Sequence, residues 1–452
     1  MADVVLAEGY RPPPTVQGTW FAWLRDNLFS TWINTLLTFG ALYIVYFAVS
    51  GVWAWGITNA VWEAENRRVC FDILAERAQE QGVDELTGAC WAGVISWFDS
   101  FIVGRYPRGE MWRINLGGLL LVVWMVPIWL PGVRDKIYVG FSTVFLYPFL
   151  GFYLFAGGEK GLFLQVMMSL AIVVLIGNTL NGYHGVRTGR SLPAVVIAGL
   201  GMKASSDKKQ RNTLLAIFAA AFALAFWAQM DWALVSVEWN LWGGLFLTLV
   251  ISGIGIAFAL PGGIVLAMGR RSQLPVIRIL CTGFIEVFRS VPLITILFMA
   301  TTMFPLFLPE GFTLNKLVQV IVAVCLFNAC YMAEVVRAGL QAIPRGQYEA
   351  AMAMGLGYWK MMGLIIMPQA LKFMIPNIVG NFIGLLKDTT LVSIIGLFDI
   401  LNMLKAVSQD VPWRGLHKEP LVVGAALFFI ICFAMSKYSR HLEETLGGGT
   451  QR

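Results

Sequence analysis

Charged side chains are scarce in this chain, so the few that stand inside apolar sequence mark where chemistry can occur. Lys387 and Asp388 interrupt an apolar stretch that runs from Phe373 to Phe398, and the hydroxyls of Thr389 and Thr390 follow them directly. A charge held in hydrocarbon costs roughly 2.5–3.5 kcal/mol, which favours a paired or water-facing arrangement. Two opposite charges beside two hydroxyls offer complementary partners to a small solute that carries both signs. An internal ion pair that holds helices together is the alternative reading. Glu286 and Arg289 stand three residues apart, a spacing that puts them on one helix face and favours a structural pair. With Ser290 and Asn381, Arg289 completes the set of polar candidates for lining a path through the chain.

A second kind of chemistry is suggested by the stretch Glu349 to Pro368, EAAMAMGLGYWKMMGLIIMP. Its polar residues break an otherwise membrane-grade sequence. The spacing predicts two short helical segments that meet at Gly355, the first seeded by Glu349, Ala350 and Ala351, the second closing on Ile365, Ile366, Met367 and Pro368. Alanines permit close helix contact and glycine permits a backbone angle that side chains oppose. Such a segment reads as a docking loop for a partner.

The elements that must position these residues are helices in a membrane. The chain is 58% hydrophobic and 13% charged, too little polar surface to cover 452 residues in water. Charge-free runs occur at Trp32 to Trp62, Asn115 to Gly132, Ile137 to Gly158, Gly161 to Val186, Asn212 to Met230 and Leu241 to Gly269. Each can cross about 30 Å of hydrocarbon at about 1.5 Å per residue. No strand-like alternation accompanies them, so they are helical spans and not barrel strands. Shorter runs follow at Val291 to Leu308, Leu317 to Ala333, Phe373 to Phe398 around its charged pair, and Leu421 to Ser436. The expectation is an all-α polytopic membrane protein of about ten spans. Met1 to Arg11 is acidic and prolines stand at 12, 13 and 14, which does not fit a cleaved signal peptide.

Basic residues set the orientation. A cytoplasmic N-terminus places Arg134 and Lys136, the loop 187–211, Arg270 and Arg271, and the loop 337–372 inside, which satisfies the positive-inside bias. Asp231, Glu238, Glu310 and the segment Glu63 to Arg113, with nine acidic and six basic residues, then fall outside. The net charge of +6 is explained by these inner loops, and nucleic acid is not an expected partner. Cys281, Cys325, Cys330 and Cys432 lie in or near spans as packing residues, whereas Cys70 and Cys90 share the outer segment and could form a disulfide in an oxidising compartment. His184, His417 and His441 are scattered without ligand spacing, so no metal site is expected.

The Glu349 to Pro368 stretch resembles the EAA loop of the inner-membrane permeases of ABC importers, with Met367 where leucine is usual. Phe284 to Leu293 (FIEVFRSVPL), Ala333 to Gln347 (AEVVRAGLQAIPRGQ), Pro368 to Lys372 (PQALK), Pro376-Asn377 and Leu386 to Leu391 (LKDTTL) are similar, in order, to permeases for polar amino acids. Asn27 to Thr38, Gly88 to Trp91, Tyr106-Pro107 and Trp112-Arg113 resemble the long permease subunits of general L-amino-acid or glutamate/glutamine/aspartate/asparagine importers. The resemblance implies a cytoplasmic segment 1–31, a membrane extension 32–240 with an outer loop 56–113, a five-span type I importer core 241–437 and a cytoplasmic tail 438–452. It implies an inner-membrane transport subunit, not an enzyme, that moves polar L-amino acids. It also implies a second permease subunit as heterodimer partner, an ATPase dimer, a periplasmic amino-acid-binding protein and surrounding lipid. ATP and Mg would bind the ATPase and no cofactor this chain, which has no G-x-x-x-x-G-K-[ST] phosphate loop. Glu349 would cap a helix or form an ion pair, Ala350 and Ala351 would pack into the ATPase, and Gly355, Ile365 and Pro368 would shape the loop. A secondary amino-acid transporter independent of an ATPase, which would call for inverted repeats and its own ion site, and a non-transporting scaffold or sensor are the competing classes.

Overall fold

The computed structural model describes residues 20–130, 136–188, 208–230, 233–311 and 314–447. Met1 to Arg11 and its prolines, Arg134, Arg190, Lys203, Asp231 and the end of the tail lie outside them. The described chain is helical and contains no named strand. Seven helices are long and apolar enough to cross a membrane: Trp32–Thr58, Arg108–Trp129, Tyr138–Ala156, Leu162–Thr179, Gly244–Arg270, Lys316–Ala342 and Lys418–Thr445. Two further pairs act as spans only if each is taken as one bent element: Pro275–Ser290 with Leu293–Phe307, bent by 106°, and Tyr358–Phe373 with Ile375–Ser393, bent by 65°. After residue 240 this makes three continuous and two bent spans. The expected span at 212–230 is helix Lys208–Ala228, whose apolar stretch, Ala216–Ala228, is short for a crossing.

The chain forms two compact units, one of residues 1–95 with 411–419 and one of residues 96–410 with 420–452. Residue 240 lies within the second. In the first unit, the outer segment is a folded cap and not an open loop. Helix Arg67–Gln81 starts where the Asn66 side chain accepts the Val69 N–H at 3.1 Å, and it ends at Gly82, whose φ is +65°. Cys70 and Cys90 are joined by a disulfide with Cα atoms 6.0 Å apart. Arg67 donates to the Arg414 carbonyl at 2.8 Å, and the Cys90 N–H donates to the Glu419 carboxylate at 3.2 Å, so the segment before the last helix belongs to the cap.

In the second unit, Gly244–Arg270 and Lys316–Ala342 pack most closely. Pro261 is accommodated without ending its helix, and Gly262 and Gly263 let that helix approach Ala329 and Met332. A side chain at Gly263 would strike Met332 and the Ala333 backbone, which is why the close approach needs glycine there. One apolar core gathers Leu247, Ile251, Leu297, Val324, Leu385 and Val392. Another joins Ala259, Met332, Val336 and Leu340 to Ala351, Met361 and Ile366, so the loop after Ala342 is packed onto the spans. Gly380 and Gly384 face open space among the described residues.

Candidate functional site

The polar loop is built as expected around Gly355, and its hydrogen bonds explain why. Helix Arg345–Ala353 ends in a left-handed residue, Gly355 with φ +72°, while the Leu356 N–H donates to the Ala351 carbonyl at 3.2 Å and the Gly355 N–H to the Met352 carbonyl at 2.9 Å. This 6→1 and 5→2 pattern is a Schellman cap, in which the residue after the cap is glycine for conformational reasons. The chain then enters Tyr358–Met361, a π-helical turn Met362–Ile366, and Met367–Phe373.

Burial divides the loop's residues in two. Ala351, at 1% exposure, and Ile366 point into the core, and Ile365 is half-buried. Ala351 is therefore spent on the chain's own packing, which corrects the expectation that it contacts a partner beside Ala350. Glu349, Ala350 and Pro368 are exposed. Glu349 is the fifth residue of its helix, whose N-cap is Pro344, so of its two expected roles, cap or ion pair, the cap is not realised. Met354 and Trp359 are each 75% exposed, and Met352, Tyr358 and Leu364 are exposed as well. Sequence reasoning passed over these large apolar residues, although their presence in a polar loop was the available signal. An apolar surface outside the bilayer region is the mark of a protein contact.

The expected Glu286–Arg289 pair does not form. Glu286 binds Arg270 at 2.9 Å, and Arg289 lies 3.6 Å from Glu334 with its guanidinium 5.6 Å from the Tyr331 ring centre. Glu334 is the hub: it also binds Arg270 at 2.5 Å and Arg337 at 2.7 Å. The physical reason is reach. Arg270 ends its helix beside both glutamates, and it outcompetes an exposed i,i+3 partner. Arg337 donates onward to Gln341 at 2.9 Å, one turn before the polar loop. Glu334 and Arg337 stood in the sequence as a glutamate three residues before an arginine in a span, but nothing local pointed to Arg270.

Lys387 and Asp388 form no ion pair with each other or with any described residue, so the internal-pair alternative is not realised in this structure. Lys387 is exposed, and Asp388 and Asn381 are half-buried. Thr389 is buried and donates to the Leu386 carbonyl at 2.6 Å, while Thr390 donates to the Lys387 carbonyl at 2.8 Å. The Ser290 hydroxyl likewise donates to its own helix, to Val287 at 2.9 Å. No hydrogen bond or ion pair among the described residues links the 381–390 group to Arg289 and Ser290. The unpaired charges leave this segment open to a ligand.

The family model described as "Binding-protein-dependent transport system inner membrane component" matches residues 259–446. The inner membrane amino-acid ABC transporter permease protein YhdY of Escherichia coli (strain K12) is 36% identical over 452 residues, 99% of each chain. The glutamate/glutamine/aspartate/asparagine transport system permease protein BztC of Rhodobacter capsulatus is 40% identical over 440 residues, 96% of each. A solved amino acid ABC transporter with histidines is 29% identical, with a TM-score of 0.41, and covers 45% of this chain and 92% of its own. The matched C-terminal region holds the Schellman-capped loop, the Glu334 hub and the open Lys387–Asp388 segment, and relatives above 30% identity extend the match along nearly the whole chain: it belongs to the amino-acid ABC transporter permeases, the multi-pass inner-membrane components of binding-protein-dependent transport systems.

Proposed function

We propose that this chain is the permease subunit of an ATP-driven importer of polar L-amino acids, coupled to a separate ATPase through the loop that holds Glu349 and Gly355. The observation that carries this reading is the loop's two-sided construction. Ala351, Met361 and Ile366 tie it to the spans, while Glu349, Met354 and Trp359 are presented outward. A push on the outer surface is thus transmitted to the helices that pack on its inner surface, a rigid-body form of switching. ATP and Mg belong to the ATPase, and a soluble binding protein delivers substrate from outside. A second permease subunit completes the path.

Lys387, Asp388, Thr389 and Thr390, with Asn381, Arg289 and Ser290, are the residues along which the amino acid passes. Its ammonium finds the Asp388 carboxylate and its carboxylate finds Lys387, neither of which forms an ion pair among the described residues. The tests are direct. Glu349→Lys should lower ATP-dependent uptake in reconstituted vesicles at least tenfold without changing substrate capture by the binding protein, and the ATPase should no longer co-purify. Undiminished uptake removes the docking reading. Asp388→Asn should change substrate affinity or choice more than protein level. Loss of protein with unchanged preference would make the residue structural.

A further inference from the structure

A cavity of about 590 Å³ lies between four helical segments of the second unit. Leu260, Val379, Phe382 and Met435 form apolar walls, and the lining's polar groups belong to Lys372 and Tyr438. Its depth follows from helix rise. Leu260 lies sixteen residues into a helix that begins at Gly244, about 24 Å from its outer end, and Tyr438 lies twenty residues beyond Lys418, about 30 Å in. With the orientation expected from the basic loops, the cavity would span the inner half of the hydrocarbon and reach its cytoplasmic boundary.

The mouth is cationic and has no counter-ion among the described residues. Lys372 is exposed and forms no ion pair among the described residues, and Lys437 and Arg440, which flank Tyr438 on the last helix, are exposed and likewise unpaired. Glu443, the nearest acid C-terminal to Arg440 on that helix, accepts the Ser439 hydroxyl at 3.3 Å. A polar amino acid would lose its hydration against these walls with nothing to replace it. A neighbouring protein helix that filled the walls would also need an acidic side chain placed at Lys372. The molecule that satisfies both features has a long hydrocarbon chain and an anionic head at the inner boundary.

We propose that this groove is a binding site for an anionic phospholipid of the inner leaflet. One acyl chain lies along Leu260, Val379, Phe382 and Met435, and the phosphate is held by the Lys372 ammonium and the Tyr438 hydroxyl. The groove borders Met374, where the chain bends by 65° between the polar loop and the helix that carries Lys387, so the lipid touches both sides of that bend. Binding of the lipid does not depend on the transport reading and is measured without ATP, substrate or binding protein.

The test is native mass spectrometry of the intact purified complex, titrated with phosphatidylglycerol or phosphatidylcholine. The wild type should retain phosphatidylglycerol preferentially. Lys372→Gln should weaken that retention about fivefold, the share of one juxtamembrane cation, and leave phosphatidylcholine unchanged. Val379→Trp, which fills the groove, should reduce retention of both. Equal retention of the two lipids, or a Lys372→Gln variant identical to wild type, overturns the proposal. So does photo-crosslinking from position 379 in native membranes that captures a protein subunit in place of lipid, since the groove would then be an interface between permease subunits.

Discussion

Replacing Gly355 isolates the backbone as the cause of an effect on coupling. A Cβ built at this position meets nothing within 4 Å, so Gly355→Ala introduces no clash. What it introduces is a side chain at φ +72°. The left-handed conformation costs about 1–2 kcal/mol for an ordinary L-residue, and asparagine bears less of that cost because its short amide bonds locally to the backbone. If the loop alternates between its capped form and unravelled forms, the alanine variant lowers the capped population by about 5- to 30-fold relative to the others. Two bonds go with it, Leu356 to Ala351 and Gly355 to Met352, and the second helix no longer leaves the first at the same angle.

The assay is ATP-dependent amino-acid uptake and stimulated ATPase activity in vesicles that contain the full complex, with membrane protein level measured beside them. Uptake should fall in the order Gly355, Asn, Ala, Val, with protein level unchanged throughout. Gly263→Ala is the contrasting variant, because its Cβ would lie 2.7 Å from Met332 carbons and 2.9 Å from the Ala333 nitrogen. That change should remove folded protein from the membrane, as overpacking does. Equal uptake by the glycine, asparagine and alanine forms refutes the reasoning. An alanine variant that disappears from the membrane refutes it too, because the turn would then support folding and not docking.

The Glu334 hub predicts an asymmetry between two glutamates. Glu334→Gln leaves Arg270, Arg289 and Arg337 without their shared carboxylate and should cost about 2–3 kcal/mol, below the full value for a buried pair because the arginines are partly exposed. Glu286→Gln, at a half-exposed carboxylate, should cost under about 1 kcal/mol; thermal unfolding in nanodiscs ranks them, and an equal or larger loss at Glu286 would contradict the hub. Asp399, outside the spans, predicts a pH dependence. Burial pushes its carboxyl up to about 6, against the opposing pull of the Asn402 and Leu401 N–H groups that it accepts at 3.1 and 3.2 Å and of the Lys405 charge. A raised acid pKa means that the folded state keeps a proton the unfolded chain has already released, so stability from this group is greatest below pH 4. It falls as pH rises to about 6, by at most about 3 kcal/mol. Asp399→Asn should flatten that slope in unfolding measured from pH 4 to 7, and an unchanged slope would assign it elsewhere.

What could be read from the sequence was set by distance along the chain. The spans were legible because a charge-free run is a local property that hydrocarbon enforces, and Gly355 was legible because a helix stop is local as well. The cap was legible in part: the Cys70–Cys90 disulfide was expected from the shared outer segment, but the bonds that tie Arg67–Gln81 to residues beyond 410 were not. The Glu286–Arg289 pair failed for the same reason. Spacing on one helix shows which residues can meet, but a third group on another helix decides which do, and Arg270 was close enough to take Glu286 away.

The same distance rule explains how the loop and the spans act together. Glu334 joins its own helix to the ends of two others, and Arg337 passes that link to Gln341, the last polar contact before Ile343 and Pro344 turn the chain into the loop. Ala351 and Ile366 then return the loop to the core that holds Met332 and Val336, on the helix that carries Glu334. Under the proposed coupling, force applied at Met354 or Trp359 would reach Arg289, at the 106° bend, through one ionic and one apolar route. A loop attached by a flexible tether would dissipate that force. An attachment at two points on one rigid helix would pass it on to the bent spans.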